Sequence, residues 1–343
     1  MIGRAIIGVY AMGGTIAASG DEGPGLKPRI GIDTLMRAVP DIEVRTDLRL
    51  VDFMVAPSAE LSLEDVVLLA DRLRSDAAGG VAGFVISQGT DTLEECAFAL
   101  DVLWDLQVPV VVTGAMRAPG AAGADGPANL TAAICIARCS AAHGAGVLVV
   151  MNDEVHAARF VRKMHTSSVG AFESPGRGPI GAVTEGRVSL WGGPVRGSRV
   201  AVPSSDRRQA PVALAKVALG DDGRCLAAVI ESGYKGLVVE GMGGGHVPSR
   251  MVEALTNVAE QIPVVLASRT GSGALLRETY GVPGAEIDLL DRGLIFADSL
   301  DGLKARIQLS LLLMAGASDS EVRASFERDA AVSTCPCVSG AVE

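Results

Sequence analysis

The sequence predicts an α/β protein made of two α/β domains. The N-terminal one is larger, with a mostly parallel sheet flanked by helices. The C-terminal one is smaller and also built on a parallel sheet. Three observations carry this. The chain has 343 residues and is 48% hydrophobic, yet it holds only 7 Phe, 3 Tyr and 2 Trp. Its cores must therefore be packed by Val, Leu, Ile and Ala, as strands buried on both faces are. Short apolar runs alternate with helix-periodic stretches, the pattern of βαβ units. Finally, periodicity fades after Trp191 in a stretch rich in turn formers, and a chain of this length suits two domains.

Taken in order, Ala5–Tyr10 reads as a buried strand that runs into the turn Gly13-Gly14-Thr15. A short helix fits Asp33–Val39, closed by Pro40. Ser62-x-x-Asp65 is a capping-box-like start to an apolar-periodic helix over Leu63–Leu73. Phe84–Ser87 is a strand, followed by Gln88-Gly89-Thr90-Asp91-Thr92 and a helix to about Leu106. Val108–Thr113 is another buried strand, Pro127 suits the first turn of a helix running to Cys139, and Val147–Met151 is a strand. The expected N-terminal domain spans residues 1–191. Residues 192–215, with Pro194, Pro203, Ser204, Ser205, Arg207 and Arg208, read as a linker. The second domain, 216–330, offers strands at Leu226–Ile230, Gly236–Val239 and Pro263–Ala267. Its helices fit Ser249–Glu260, Asp301–Met314 and Ser318–Arg328. Residues 331–343, carrying Cys335-Pro336-Cys337, read as a flexible tail.

Composition also excludes. With 30 Lys+Arg against 40 Asp+Glu the net charge is −10, which argues against a nucleic-acid partner. No apolar segment is long enough to span a bilayer, so no membrane partner is expected. The opening residues carry one positive charge and a short apolar run, more a first strand than a signal peptide, and the expected location is the cytoplasm. Six cysteines (Cys96, Cys135, Cys139, Cys225, Cys335, Cys337) are too few for a disulfide scaffold. Cys135 and Cys139, four residues apart, fit one apolar helix face better than a metal site, and no metal is expected.

Ligands of open α/β sheets bind beyond the carboxyl ends of the strands. Three such junctions carry reactive groups: Gly13-Gly14-Thr15-Ile16-Ala17, Gly89-Thr90-Asp91-Thr92, and Thr113-Gly114-Ala115-Met116-Arg117. Thr15 and Thr90 are candidates to face one crevice. A threonine hydroxyl attacks only once a base has taken its proton, and Asp91 and Lys163 are the candidate activators. The blander alternatives are that Asp91 caps the following helix and that Lys163 is a solvated surface lysine.

These motifs occur in order with Ala124-Asp125-Gly126-Pro127-x-Asn129-Leu130 and Val150-Met151-Asn152-Asp153. Beyond them come Arg159-Phe160-Val161-Arg162-Lys163-Met164-His165-Thr166, Tyr234-Lys235-Gly236 and Lys304-Ala305-Arg306. The set resembles the bacterial-type L-asparaginase and glutaminase-asparaginase family over roughly residues 5–328. The resemblance implies a two-domain amidohydrolase that uses no cofactor and converts asparagine to aspartate and ammonia. It implies Thr15 as the nucleophile of an acyl-enzyme, with Thr90, Asp91 and Lys163 as the second hydroxyl–acid–amine group that activates water or relays a proton. Ser58 and Asp91 would hold the substrate's α-carboxylate and α-amino group, and the Ala115 carbonyl would lie near the leaving amide. Gly14, Ala59, Gly89 and Thr90 complete the implied substrate-binding set. Glu286 matches an acid supplied by a neighbouring subunit, and the implied assembly is a homotetramer built as a dimer of dimers.

The chain departs from the family pattern in four places. The loop Gly20–Arg29 has no tyrosine, Gly25 falling where one is usual, while Tyr10 lies inside the first strand. Ala59 stands where Gln is common after Ser58, His246 where Asn is common, and Gln88 where His is common. Other readings are an amidase for glutamine or a pathway intermediate, and a non-catalytic amino-acid-binding sensor on the same fold. A third, the asparaginase-like subunit of a tRNA-dependent amidotransferase, would carry an extra N-terminal domain.

Overall fold

The computed structural model describes residues 5–19, 25, 27–28, 30–39, 47–192, 196–203 and 210–333. The tail cysteines Cys335 and Cys337 and most of the loop 20–29 lie outside the described residues, as do Pro194, Ser204, Ser205, Arg207 and Arg208. The chain divides into two compact units, Met1–Val202 and Pro203–Glu343.

The first unit begins with β1 (Ile6–Gly13), the two-residue strands β2 (Ala18–Ser19) and β3 (Lys27–Pro28), and α1 (Ile32–Arg37). Next come β4 (Asp47–Ala56), α2 (Leu63–Ala78), β5 (Val81–Ser87), α3 (Leu93–Leu103), β6 (Val110–Thr113) and α4 (Gly126–Ala137). It closes with β7 (Val147–Met151), β8 (Glu154–Ala157), β9 (Arg162–Lys163), β10 (Phe172–Glu173), β11 (Gly181–Thr184) and β12 (Arg187–Leu190). Eight of these strands form one sheet in the order β12-β11-β8-β7-β6-β5-β1-β4. The run from β7 to β4 is parallel, and β8, β11 and β12 extend it antiparallel.

Both faces of the parallel part are covered, which is why its strands read as apolar runs. On one face Ile7, Val9, Val85 and Val111 pack with Leu35 and Met36 of α1 and with Leu130 and Ile134 of α4. On β1 the neighbouring side chain Tyr10 alternates to the other face. There its ring meets Phe84 edge-on and its hydroxyl donates to Asp76 of α2. Arg72 and Arg49 also bind Asp76, at 2.6 and 2.7 Å. Burial opposes ionisation of Asp76, but bonds from Tyr10 and Arg72 and the arginine charges outweigh it and hold its pKa below the usual range. The expected capping box forms: Ser62 Oγ accepts from Asp65 N, and Asp65 accepts from Ser62 N at 2.8 Å.

Strand β4 is not expected from its sequence. Its Asp47, Arg49 and Asp52 are charged because it is the edge of the sheet and half exposed.

The second unit holds β13 (Val212–Lys216), α5 (Ala227–Glu231), β14 (Gly236–Gly241), α6 (Val252–Ala259), β15 (Val264–Ser268), α7 (Glu286–Asp291), β16 (Ile295–Phe296), α8 (Gly302–Met314) and α9 (Asp319–Ser333). Its sheet, β13-β14-β15-β16, is parallel throughout. The expected strand at Leu226–Ile230 is instead the helical turn of α5. A five-residue apolar run fits either state, and here Leu226 and Val229 share the buried side at a spacing of three. The first strand of this sheet, β13, starts inside the stretch read as linker. After the buried Val212, half-buried Ala213 and Ala215 alternate with exposed Leu214 and Lys216, and Pro211 precedes the strand.

Candidate active site

Four neighbouring strands, β4, β1, β5 and β6, end side by side, and the candidate residues lie on the loops they release. Close backbone packing draws these loops together. Gly13 and Gly14 have φ of +84° and +86°, a region that L side chains avoid. A Cβ on Gly14 would fall onto the backbone of Gly89. One on Gly89 would stand 2.6 Å from Ser58 Oγ, and one on Gly114 would stand 3.2 Å from Thr90 Cγ2. The ends of β1, β5 and β6 and the turn after β4 are therefore packed against one another at the buried residues Gly14, Ser58, Gly89, Thr90 and Gly114.

Thr15 opens a 3-10 turn over Thr15–Ala17, closed by Ala17 N donating to Gly14 O at 3.0 Å, and is half-buried. Ile16 and Ala17 anchor the turn in the core. Ser58 begins a second 3-10 turn and is buried, whereas Ala59 beside it is exposed. The Thr92 hydroxyl donates to Ser58 O at 2.9 Å and ties this turn to the start of α3.

Lys163 reaches from β9 to the loop between β5 and α3. Its ammonium donates to Thr90 Oγ1 at 2.9 Å and to Asp91 Oδ1 at 2.7 Å. The lysine side chain is 17% exposed and that of Asp91 72% exposed, so the pair opens to solvent on the carboxylate side. Asp91 is thus engaged with Lys163; the residue at the N-cap of α3 is Thr92. The hairpin that carries Lys163 is fastened twice. Met164 N donates to Ala171 O at 2.6 Å, and Ser174 Oγ lies 2.9 Å from Nδ1 of the buried His156 on β8. Burial alone pushes the His156 pKa down to about 4.

Ala115 is fully buried. Its loop is held by Asn129, which donates to Gly114 O at 3.0 Å, and by Asp125, which accepts from Met116 N and Arg117 N at 3.0 and 2.9 Å. In the sequence Asp125 and Asn129 are only motif letters; their holding role shows in these contacts. Sequence reasoning also misses Glu94, which accepts from the Lys163 backbone N–H at 2.8 Å. The one signal for it is an acid in the first turn after Thr90-Asp91-Thr92.

Glu286 belongs to the second unit. Its carboxylate is completely buried, accepting from Thr279 N at 2.8 Å, Tyr280 N at 2.6 Å and His246 Nε2 at 3.0 Å. Burial would raise its pKa, but the backbone donors and His246 outweigh that and lower it. His246 is 32% exposed and stands edge-on to Tyr280. Among the described residues no three His, Cys, Asp or Glu side chains converge as a metal site, and Cys135 and Cys139 pack against the core.

A hydroxyl held by an ammonium that also binds a carboxylate can pass protons. Glycine-rich strand ends can aim N–H groups at a developing oxyanion.

Comparison with known proteins shows the family. Residues 6–196 match the family model "Asparaginase, N-terminal", and residues 211–326 match "Glutaminase/Asparaginase C-terminal domain". The chain is 32% identical to "Probable L-asparaginase periplasmic" of Haemophilus influenzae over 94% of its length and 92% of that protein. It is 31% identical to "L-asparaginase 2" of Escherichia coli, with the same coverage of both chains. Identity reaches 34% with "Probable L-asparaginase" of Deinococcus radiodurans, covering 92% of this chain and 94% of that one. The crystal structure of "Probable Cytoplasmic L-asparaginase" from Campylobacter jejuni superposes with a TM-score of 0.85. Its identity is 30%, and the match covers 95% of this chain and all of that one.

Proposed function

The chain belongs to the asparaginase family, and from that premise we propose that it hydrolyses the side-chain amide of L-asparagine to L-aspartate and ammonia. The observation that carries the site assignment is the Lys163 ammonium bridging Thr90 and Asp91, beside the glycine contact that joins their loop to the Thr15 turn.

In the first half-reaction, Thr15 Oγ attacks the amide carbon, its proton passes to the leaving nitrogen, and ammonia departs from an aspartyl ester on Thr15. In the second, a water gives up a proton through Thr90 and Lys163 and attacks the ester carbon. Aspartate leaves, and Thr15 Oγ regains its proton. N–H groups of the Gly14 and Gly89 turns serve the oxyanion, and the Ala115 carbonyl orients the amide nitrogen. Ser58 takes the α-carboxylate and Asp91 the α-ammonium. Ala59 adds no polar contact there. Tyr10 takes no part, because its hydroxyl is committed to Asp76.

The same reading makes the active form a homotetramer, a dimer of dimers, in which Glu286 completes a neighbouring subunit's site. Tyr280 and Val282, 49% and 64% exposed near Glu286, are apolar side chains suited to such an interface. Glu286 is completely buried and its Oε2 is met by the half-exposed His246, so a substrate ammonium reaches the carboxylate by His246 turning aside. A cytoplasmic location accompanies the reading, supported by the likeness to the probable cytoplasmic L-asparaginase of Campylobacter jejuni.

Ammonia release by purified protein, measured across asparagine, glutamine and other amino-acid amides, tests the substrate. Ala59, which leaves the substrate's amino end with one contact fewer, favours including amides other than asparagine. A protein that binds asparagine and releases nothing would be the sensor instead.

A further inference from the structure

Lys163 is gripped at both ends by one five-residue segment. Its ammonium binds Thr90 and Asp91, and its backbone N–H donates to Glu94 Oε2 at 2.8 Å, across 69 positions of sequence. Glu94 lies in the first turn of α3 and is 7% exposed. A carboxylate is costly to bury, and near a helix N-terminus it is favoured.

The strand that presents Lys163 needs such an anchor. β9 has two residues, paired only as Lys163 with Phe172 and Arg162 with Glu173. Register is weakly specified in strands that are polar on both faces, and β9 presents Arg162 on one face and Lys163 on the other. A slip of one residue would place Arg162 or Met164 where Lys163 stands. The Lys163 N–H goes to Glu94, while the hairpin is closed by Met164 N on Ala171 O. A lysine stem is flexible, with four carbons between Cα and the ammonium, so fixing its backbone sets which acceptors the ammonium can reach.

We propose that Glu94 is a positioning residue: its buried carboxylate pins the Lys163 backbone and so delivers the lysine ammonium to Thr90 and Asp91. The proposal rests on the amidohydrolase reading for its kinetic consequence, though not for its geometric one. Charge-assisted hydrogen bonds to backbone N–H groups are the strong kind, and a misplacement of about 1 Å in a catalytic group can cost on the order of 100-fold in rate.

The test compares Glu94→Met, which fills the volume without an acceptor, with Glu94→Gln, whose amide oxygen can still accept the N–H. Ammonia release from asparagine gives kcat and KM, and melting temperature reports folding. The rate at which acetic anhydride acylates Lys163, followed by peptide mass spectrometry, reports the ammonium's environment without reference to activity. Glu94→Met should lower kcat by about 10- to 100-fold, leave KM within about threefold, and speed acylation of Lys163 several-fold. Glu94→Gln should recover most of the lost kcat and restore slow acylation. Native kcat and native acylation in folded Glu94→Met would overturn the proposal, as would a change confined to KM, or a folded Glu94→Gln as impaired as Glu94→Met. Should Glu94→Met not fold, Glu94→Ala takes its place. Failure of both to fold beside a fully native Glu94→Gln would make the residue structural only and overturn the proposal too. If the native protein releases ammonia from no amide, the amidohydrolase reading fails, and the acylation rates alone decide the role of Glu94.

Discussion

Lys163 donates to Thr90 Oγ1 across 2.9 Å although 73 positions separate the two residues in the chain. The lysine comes from a two-residue strand and the threonine from the loop after β5, so folding alone makes the pair. Lys163→Met should therefore lower turnover by about 10²- to 10⁴-fold, the usual worth of a positioned proton carrier, with a melting temperature close to native. Unchanged kinetics would return Lys163 to the status of an ordinary partly buried lysine.

Thr15→Ala and Thr90→Ala should each reduce ammonia release by on the order of 10³-fold or more, because loss of a nucleophile or an essential relay costs that much. Circular dichroism should show the fold intact in both. Thr15 is only half-buried, and Thr90 loses one bond to a lysine that keeps Asp91.

Acid should destabilise the first unit through His156. Burial lowers its folded pKa from 6.5 to about 4. Between those values the unfolded chain binds a proton that the folded chain refuses, so stability falls as pH drops from about 6.5 towards 4. The loss approaches on the order of 3 kcal/mol. Denaturant titrations at a series of pH values should show this slope, and His156→Gln should flatten it. An unchanged slope in that variant would assign the acid sensitivity to other groups.

Glu286→Ala should weaken substrate binding by about one to two decades, the equivalent of one charge-assisted bond of roughly 1.5–3 kcal/mol. Mixing inactive Thr15→Ala with impaired Glu286→Ala under subunit exchange should restore some activity, since part of the hybrid sites would join an intact Thr15 to an intact Glu286. Demonstrated exchange without recovery, or full activity in an isolated monomer, would remove Glu286 from a shared site.

Where function depends on short-range pattern, the chain is readable. β1 and β5 are continuous apolar runs because both faces are covered, and the glycines that follow announce the strand ends. Thr15, Thr90 and Asp91 stand at those ends, so the sequence offers them as candidates. Where a residue's meaning lies in a distant contact, pattern is silent. Glu94 looks like an ordinary acid at a helix start until Lys163 N is seen upon it. The edge strand β4 is hidden by the charges that protect it. The helix α5 resembles a strand because Leu-Ala-Ala-Val-Ile is apolar in either periodicity.

The most direct test of the central claim is product analysis of the native protein and Thr15→Ala, each incubated with L-asparagine. The account predicts aspartate and ammonia in equal amounts from the native protein and almost none from the variant. Intact asparagine recovered from the native protein, or turnover by Thr15→Ala at the native rate, would contradict it.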